Sequence, residues 1–347
     1  MDKKYKAVAL ISGGLDSMLA VKVIQAQGIH VEGINFFTGF CVEGHTHAIR
    51  NKDKNRAKRN NALWVAEQLG IKLHIIDVIE EYKGVVLNPK HGYGAHLNPC
   101  LDCKSFMVAK ALKWMKEHGF DFIITGEVIG QRPKSQKAYA MPIVARESGA
   151  HDLLLRPLCA KNLPPTLPEQ QGWVNRDQLH DFSGRSRKPQ ITLAESFEFE
   201  GYAQPAGGCC FLTDSSYSSK LSDLWKARQA RDYELDDIML LKVGRHLRPR
   251  SHFKLIIARD EGESNYLEGY TREYIHIRTT NHKGPLVLVD GELRAEDFTL
   301  ASQVVARFSQ GRDTSNVEVE ITHPNGEIQT LSVVPITSEA IPKAWYI

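Results

Sequence analysis

Residues 7–17 read AVALISGGLDS. Positions 7–11 are a short, continuously apolar run of the kind that forms a strand buried on both faces. From 18 to 27 the apolar residues Leu19, Ala20, Val23 and Ile24 share one helical face. Between them lie Ser12, Gly13, Gly14, Leu15, Asp16 and Ser17. Glycines let the backbone pass close to a ligand, and the free N–H groups at the start of the next helix point at an anion. The stretch therefore predicts a strand–turn–helix unit that cradles phosphate. It is neither the GxxxxGK[ST] nor the GxGxxG pattern.

The pattern repeats outward. Residues 31–37, 72–78, 122–125 and 153–158 read as further strands, and 57–69 and 105–118 as helices. Alternating strands and helices predict an α/β, doubly wound parallel sheet. Right-handed crossovers then bring 12–17, 36–47 and 125–136 to one rim. Residues 161–204 are rich in Pro, Gln, Gly and polar side chains and read as a loop or lid. Beyond about 235 the chain changes to strand-like alternation, with one helix at 298–310 and a last hairpin. This predicts a second, smaller α+β domain. The expected organisation is 1–160 for the nucleotide domain, 161–230 for a linker or lid with a second cysteine site, and 231–347 for the C-terminal module.

Composition narrows the class. The 347 residues are 42% hydrophobic and 24% charged, as in ordinary globular proteins. No apolar run is long enough to span a bilayer, and the N-terminus lacks a signal-peptide layout, so a cytoplasmic protein without membrane contact is expected. A net charge of +3 leaves any nucleic-acid surface local. Basic residues cluster at Arg50, Lys52, Lys54, Arg56, Lys58 and Arg59, at Arg185, Arg187 and Lys188, and at Arg245, His246, Arg248 and Arg250. The six cysteines stand at 41, 100, 103, 159, 209 and 210. In a cytosolic chain, the CxxC pair Cys100 and Cys103 suggests metal or redox chemistry rather than a structural disulfide. It precedes the helix expected at 105, where the dipole would favour thiolate. Cys159 follows an apolar run and is expected in the core. Cys41, near His45 and His47, has the composition of a zinc site, although loop histidines are mostly surface residues.

SGGLDS directly after the first strand resembles the signature of the PP-loop ATP pyrophosphatases, with a HUP-like fold. That resemblance implies ATP cleaved between its α and β phosphates, a substrate oxygen adenylylated and pyrophosphate released. NPCLDCK at 98–104 with GCCFL at 208–212 resembles the paired cysteine segments of tRNA 2-thiouridylases. TGEVIGQRPKSQ at 125–136 instead resembles a segment of tRNA 4-thiouridine synthetases. Over about 5–215 the chain thus resembles tRNA-thiolating PP-loop enzymes as a group. VGRH at 243–246 and the following ARDEGESNYLE resemble the NFACT RNA-binding domain.

The resemblance implies site residues. Ser12, Gly13, Gly14, Leu15, Asp16 and Ser17 would hold ATP phosphates, with Asp16 organising Mg2+. Phe36 or Phe37 would line the adenine pocket, one of the two being core. Gly126, Gln131 and Arg132 would complete the nucleotide site. Lys104 or Lys134 would meet a phosphate or the tRNA. In related enzymes three cysteines hold a [4Fe–4S] cluster, which here would be Cys100, Cys103 and Cys210, with Cys209 competing for the third place. A metal-free route would pass a persulfide between Cys103 and Cys210. Implied partners are tRNA and a sulfur donor, either sulfide or a persulfide carrier protein. Arg245, Arg248 and Arg250 would meet tRNA phosphates, although the module would equally suit a homodimer contact. Two other classes remain open. One is a PP-loop ligase or amidotransferase-like enzyme with structural zinc, and the other a non-catalytic RNA-binding protein.

Overall fold

The computed structural model describes residues 4–42, 60–199, 201–202 and 209–347. It consists of two units, with the boundary between Thr213 and Asp214. In the first unit, β1 (Lys6–Leu10), β2 (His30–Phe37), β3 (Leu73–Asp77), β4 (Phe122–Thr125) and β5 (Leu154–Leu155) form one sheet. Its order is β3-β2-β1-β4-β5, and all neighbours run parallel. The strand order reverses between β1 and β4, so the loops after these two strands open a crevice at the sheet's carboxyl edge.

The helices are α1 (Leu15–Gln25), α2 (Asn61–Leu69), α3 (Ile79–Leu87), α4 (Cys100–Glu117), α5 (Ala140–Glu147), the short α6 (Leu167–Gln170) and α7 (Lys188–Ser196). Each boundary has a local cause. Asn60 caps α2, its side-chain oxygen accepting from the Ala62 and Leu63 amides at 2.9 and 3.2 Å, and Gly70 ends the helix at φ 61°. Met18, Leu19 and Ile24 of α1 pack with Ala7, Ala9, Phe122 and Ile124 into one core. Burying each large side chain contributes roughly 1.5–3 kcal/mol.

Four details differ from the sequence reading. The fifth strand has two residues rather than six. Helix α4 begins at Cys100, so both cysteines of the CxxC lie in its first turn rather than before it. Helices α3, α5, α6 and α7 are elements that the sequence reading lacks. In the polar segment after 160, Val174, Leu179 and Ala194 enter the main core, with Trp173 and Phe182 against it.

The second unit opens with α8 (Ser215–Arg228) and α9 (Leu235–Leu240). An antiparallel sheet follows, built from β6 (Arg245–Arg250), β7 (Phe253–Ile257), β8 (Ile275–Thr279), β9 (Val287–Gly291), β10 (Val317–Thr322) and β11 (Ile328–Val333). Its order is β11-β10-β8-β9-β7-β6. Helix α10 (Glu261–Leu267) lies between β7 and β8 in sequence. Helix α11 (Phe298–Arg307) buries Ala301, Val304 and Val305 in the core that Val317, Val319 and Ile321 also enter. This is an α+β module with its own apolar centre.

Candidate active site

The turn after β1 is built for close approach. Gly13 has φ 76°, in the left-handed region that favours glycine. Gly14 precedes α1 without side-chain capping, and the Ser17 hydroxyl donates to its carbonyl at 2.8 Å. Ser12 is exposed, Leu15 is core, and Ser17 is buried. The neighbouring turn is pressed against this one. A Cβ on Gly126 would lie 2.4 Å from the Asp16 carbonyl. Only glycine after β4 allows the two loops to touch.

Asp16 stands where these loops meet. One carboxylate oxygen accepts from the Gln131 amide at 2.9 Å and has the Arg187 guanidinium 3.8 Å away. The other, Oδ1, is buried with no hydrogen-bond partner. Burial pushes the Asp16 carboxyl up, against opposing pulls from Arg187, Gln131 and Arg132. A carboxylate oxygen left free in a phosphate loop suits a magnesium ion, which prefers one or two carboxylates plus phosphate oxygens. Gln131 and Arg132 therefore come to the loop as expected. Phe36 is 8% exposed and belongs to the core, while Phe37 is half-buried.

The thiols form a second cluster in the same unit. Cys100, Cys103, Cys209 and Cys210 interact electrostatically with one another, and Tyr82 hydrogen-bonds Cys103. Asn98 donates its amide to the Cys100 sulfur at 3.0 Å. The backbone of Cys210 pairs with that of Cys41 in an isolated antiparallel β-bridge, with both thiols free, and the Phe211 amide donates to the Phe40 carbonyl at 2.9 Å. The expectation that the helix start would acidify the CxxC fails. Burial pushes Cys103 up to about 12 and raises Cys100 as well. Desolvation outweighs the helix dipole at both positions. The lowered thiol is instead Cys209, which is exposed as a residue yet surrounded by these groups. A hydrogen bond from Cys210 lowers the Cys209 thiol against a desolvation cost, and Arg132 and Lys104 lower it further. Cys210 is raised in turn, chiefly by donating that bond.

Three or four thiols beside two cations have the donor chemistry of an iron–sulfur or persulfide site. Among the described residues, however, no three His, Cys, Asp or Glu side chains are arranged to hold a metal ion. Lys134 donates to the Tyr93 carbonyl. Cys159 is buried, its thiol donating to the Glu127 carbonyl at 3.2 Å. The run Arg50–Arg59, His45 and His47 lie outside the described residues.

Several residues here carried no local signal. Glu127 and Arg156, 2% and 5% exposed, form a buried ion pair at 3.2 Å, and the Thr125 hydroxyl donates to the same carboxylate. Burial would raise Glu127, but Lys104 and Arg156 hold it below the usual range. Gln190, wholly buried, donates its amide to Gln131 at 2.8 Å. TGEVIGQ at 125–131 contains Glu127 and Gln131, yet only long-range pairing reveals their partners.

In the second unit the basic triplet separates. Arg245 and Arg250 are exposed, whereas Arg248 is bound to both oxygens of Asp223 at 2.7 Å. His246 is buried. Arg248 is thus committed within the fold and leaves two arginines of this strand for phosphate.

Comparison with known proteins agrees with this architecture. Residues 5–150 match the tRNA methyl transferase HUP domain, and residues 244–346 match the NFACT protein RNA binding domain. The chain is 23% identical over 224 residues to tRNA-specific 2-thiouridylase MnmA of Pelobacter propionicus, covering 63% of this chain and 57% of that protein. It is 30% identical over 128 residues to MnmA of Sulfurimonas denitrificans, covering 36% and 35%. The chain thus spans between about a third and just over half of these relatives. A solved 4-thiouridine synthetase–RNA complex with bound ATP matches at 25% identity and TM-score 0.33, over 44% of this chain and 36% of that one. No helix among the described residues is long and apolar enough to cross a membrane. The chain is therefore similar over residues 5–150 to a tRNA methyl transferase HUP domain and over residues 244–346 to the NFACT RNA-binding domain, and it resembles the tRNA 2-thiouridylases.

Proposed function

We propose that this chain is an ATP-dependent tRNA sulfurtransferase. The observation that carries the reading is that Asp16, with a buried oxygen left without a donor after the glycine turn, lies in the same unit as the four thiols Cys100, Cys103, Cys209 and Cys210, with Arg132 electrostatically near both groups. A carboxylate placed for nucleotide activation and a thiol cluster in one unit suit a reaction that activates an oxygen and then replaces it with sulfur. A ligase with structural zinc would not need that coupling.

The residues take the following roles. Backbone N–H groups of Gly13–Ser17 hold the phosphates, and Asp16 holds magnesium, which neutralises charge on the leaving pyrophosphate. A uridine carbonyl oxygen attacks the α-phosphorus, the bond to the β-phosphate oxygen breaks, and pyrophosphate leaves. Sulfur then attacks the activated carbon. The carbon–oxygen bond breaks, and AMP departs with the uridine's oxygen. Cys100, Cys103 and Cys210, with Cys209 beside them, handle the sulfur. A [4Fe–4S] cluster on three of these thiols would supply it as hydrosulfide. The lowered Cys209 thiol favours a second route. In it a persulfide sulfur attacks, a neighbouring thiol breaks the S–S bond, and an external thiol reduces the resulting disulfide. The second unit grips the tRNA.

The test is anaerobic incubation of the full chain with ATP and unmodified tRNA, with sulfide and a persulfide donor supplied in parallel reactions, followed by nucleoside mass spectrometry. Thiouridine should appear with equal amounts of AMP and pyrophosphate, and Asp16→Ala should lower all three by about a thousandfold. Orthophosphate as the product, or AMP without thiouridine, would refute the assignment.

A further inference from the structure

The basic group at 185–188 has no role in the scheme above, yet it reaches the phosphate loop. Residues 183–190 form an arm fastened to the loop after β4. Ser183 bridges to Ile129 in parallel fashion, and the Gly184 amide donates to the Ile129 carbonyl at 2.7 Å. A Cβ on Gly130 would stand 3.4 Å from the Gly184 backbone, so the two segments touch. Gln190, in the first turn of α7, is wholly buried and donates to the Gln131 side chain, which in turn donates to Asp16. Two amides thus relay the seating of the arm to the phosphate-loop carboxylate.

Between these fastenings Arg187 faces the site. Its guanidinium lies 3.8 Å from the Asp16 carboxylate, too far for a hydrogen bond, and its side chain is 22% exposed. Arginines committed within this fold look different. Arg248 makes two bonds of 2.7 Å to Asp223, and Arg228 makes two of 2.6 and 2.5 Å to Asp237. Arg187 is held near a carboxylate without a close bond to it. Its five N–H donors suit the paired oxygens of a phosphate better than one carboxylate oxygen at that range. Once a cation takes over the Asp16 charge, the strongest remaining anion at that loop is a nucleotide phosphate.

We propose that Arg187 is a phosphate ligand of the nucleotide site, presented by a docked arm whose seating depends on the Gln190–Gln131–Asp16 relay. The proposal rests on the ATP-binding reading above and adds a residue to it. Nucleotide binding to the full chain distinguishes the two, with ATP and adenosine as probes in parallel titrations. Arg187→Ala should weaken ATP by about tenfold or more, the usual effect of losing a hydrogen bond to a charged group, and leave adenosine unchanged. Arg187→Lys should recover part of the loss. Unchanged ATP affinity in Arg187→Ala would overturn the proposal while leaving the ATP reading intact. Equal loss of ATP and adenosine would also overturn it, because Arg187 would then support the site rather than the phosphate. Wild-type protein that binds neither probe would remove the ATP reading itself.

Discussion

The two units treat several of their charged side chains differently. In the second unit charges are paired off. Arg248 closes on Asp223, Arg259 on Glu263, Arg228 on Asp237, and the buried Lys254 on Asp290 at 2.9 Å. In the first unit the groups at the sheet's carboxyl edge are left incomplete. Asp16 has a buried oxygen without a donor among the described residues, Arg187 stands off its carboxylate, and Cys209 in a crowded set of thiols is shifted down. An unmade buried hydrogen bond costs about 1–3 kcal/mol. At Asp16, a bound cation would complete the group. The contrast fits the proposed chemistry of the first unit and the proposed grip of the second.

The largest effect should break sulfur transfer apart from activation. Cys103→Ala should lower thiouridine formation at least about a hundredfold while tRNA-dependent pyrophosphate release continues. If pyrophosphate release falls equally, the thiols and the phosphate loop do not act in sequence. Anaerobic protein carrying iron and sulfide that Cys100→Ala, Cys103→Ala and Cys210→Ala each lose would select the cluster route. Protein with neither, yet active with a persulfide donor, would select the metal-free route.

A smaller effect concerns the exception in the second unit. Lys220 is 7% exposed and donates to the Leu241 and Gly244 carbonyls at 3.2 and 3.1 Å, with no carboxylate partner. Burial, with Arg259 and Lys254 nearby, lowers it from 10.5 to about 8. Between these values the folded protein has lost a proton that the unfolded chain keeps. Stability should therefore rise as pH increases from about 8 to 10.5, by about 3 kcal/mol at most. Denaturant titrations of wild type and Lys220→Met should differ by that slope. Parallel pH profiles would mean that burial does not lower the Lys220 ammonium.

The smallest effect sharpens the grip. Arg245→Ala with Arg250→Ala should weaken every tRNA similarly. The dependence of log affinity on log salt should flatten by about 1 for each phosphate that no longer meets an arginine. Arg248→Ala should leave that slope unchanged, since Asp223 already holds this side chain. A flattened slope in Arg248→Ala instead would return that residue to the RNA surface.

Much of the fold was legible because parallel strands buried on both faces read as apolar runs. Residues 7–11 and 122–125 are such runs, and the glycine turn between strand and helix is local in sequence. The α4 start was not legible, because Pro99 precedes it and no side chain caps it. Nor was the acidity of the thiols, which depends on what packs around them. Cys103 rises because tertiary contacts bury it, and Cys209 falls through a hydrogen bond and two distant cations. Arg187 and Gln190 read as a polar segment, and only the fold brings them to Asp16 across more than a hundred and fifty residues. Sequence showed which groups could act. Their assembly is a long-range property.

The central claim is that a uridine oxygen leaves on AMP. The most direct test uses unmodified tRNA labelled with 18O at the uridine carbonyls, incubated anaerobically with the full chain, ATP and sulfide. Mass spectrometry of the released AMP should find one 18O per thiouridine formed, with none in pyrophosphate. Unlabelled AMP accompanying thiouridine, or label in orthophosphate, would contradict adenylylation of the uridine and with it this account.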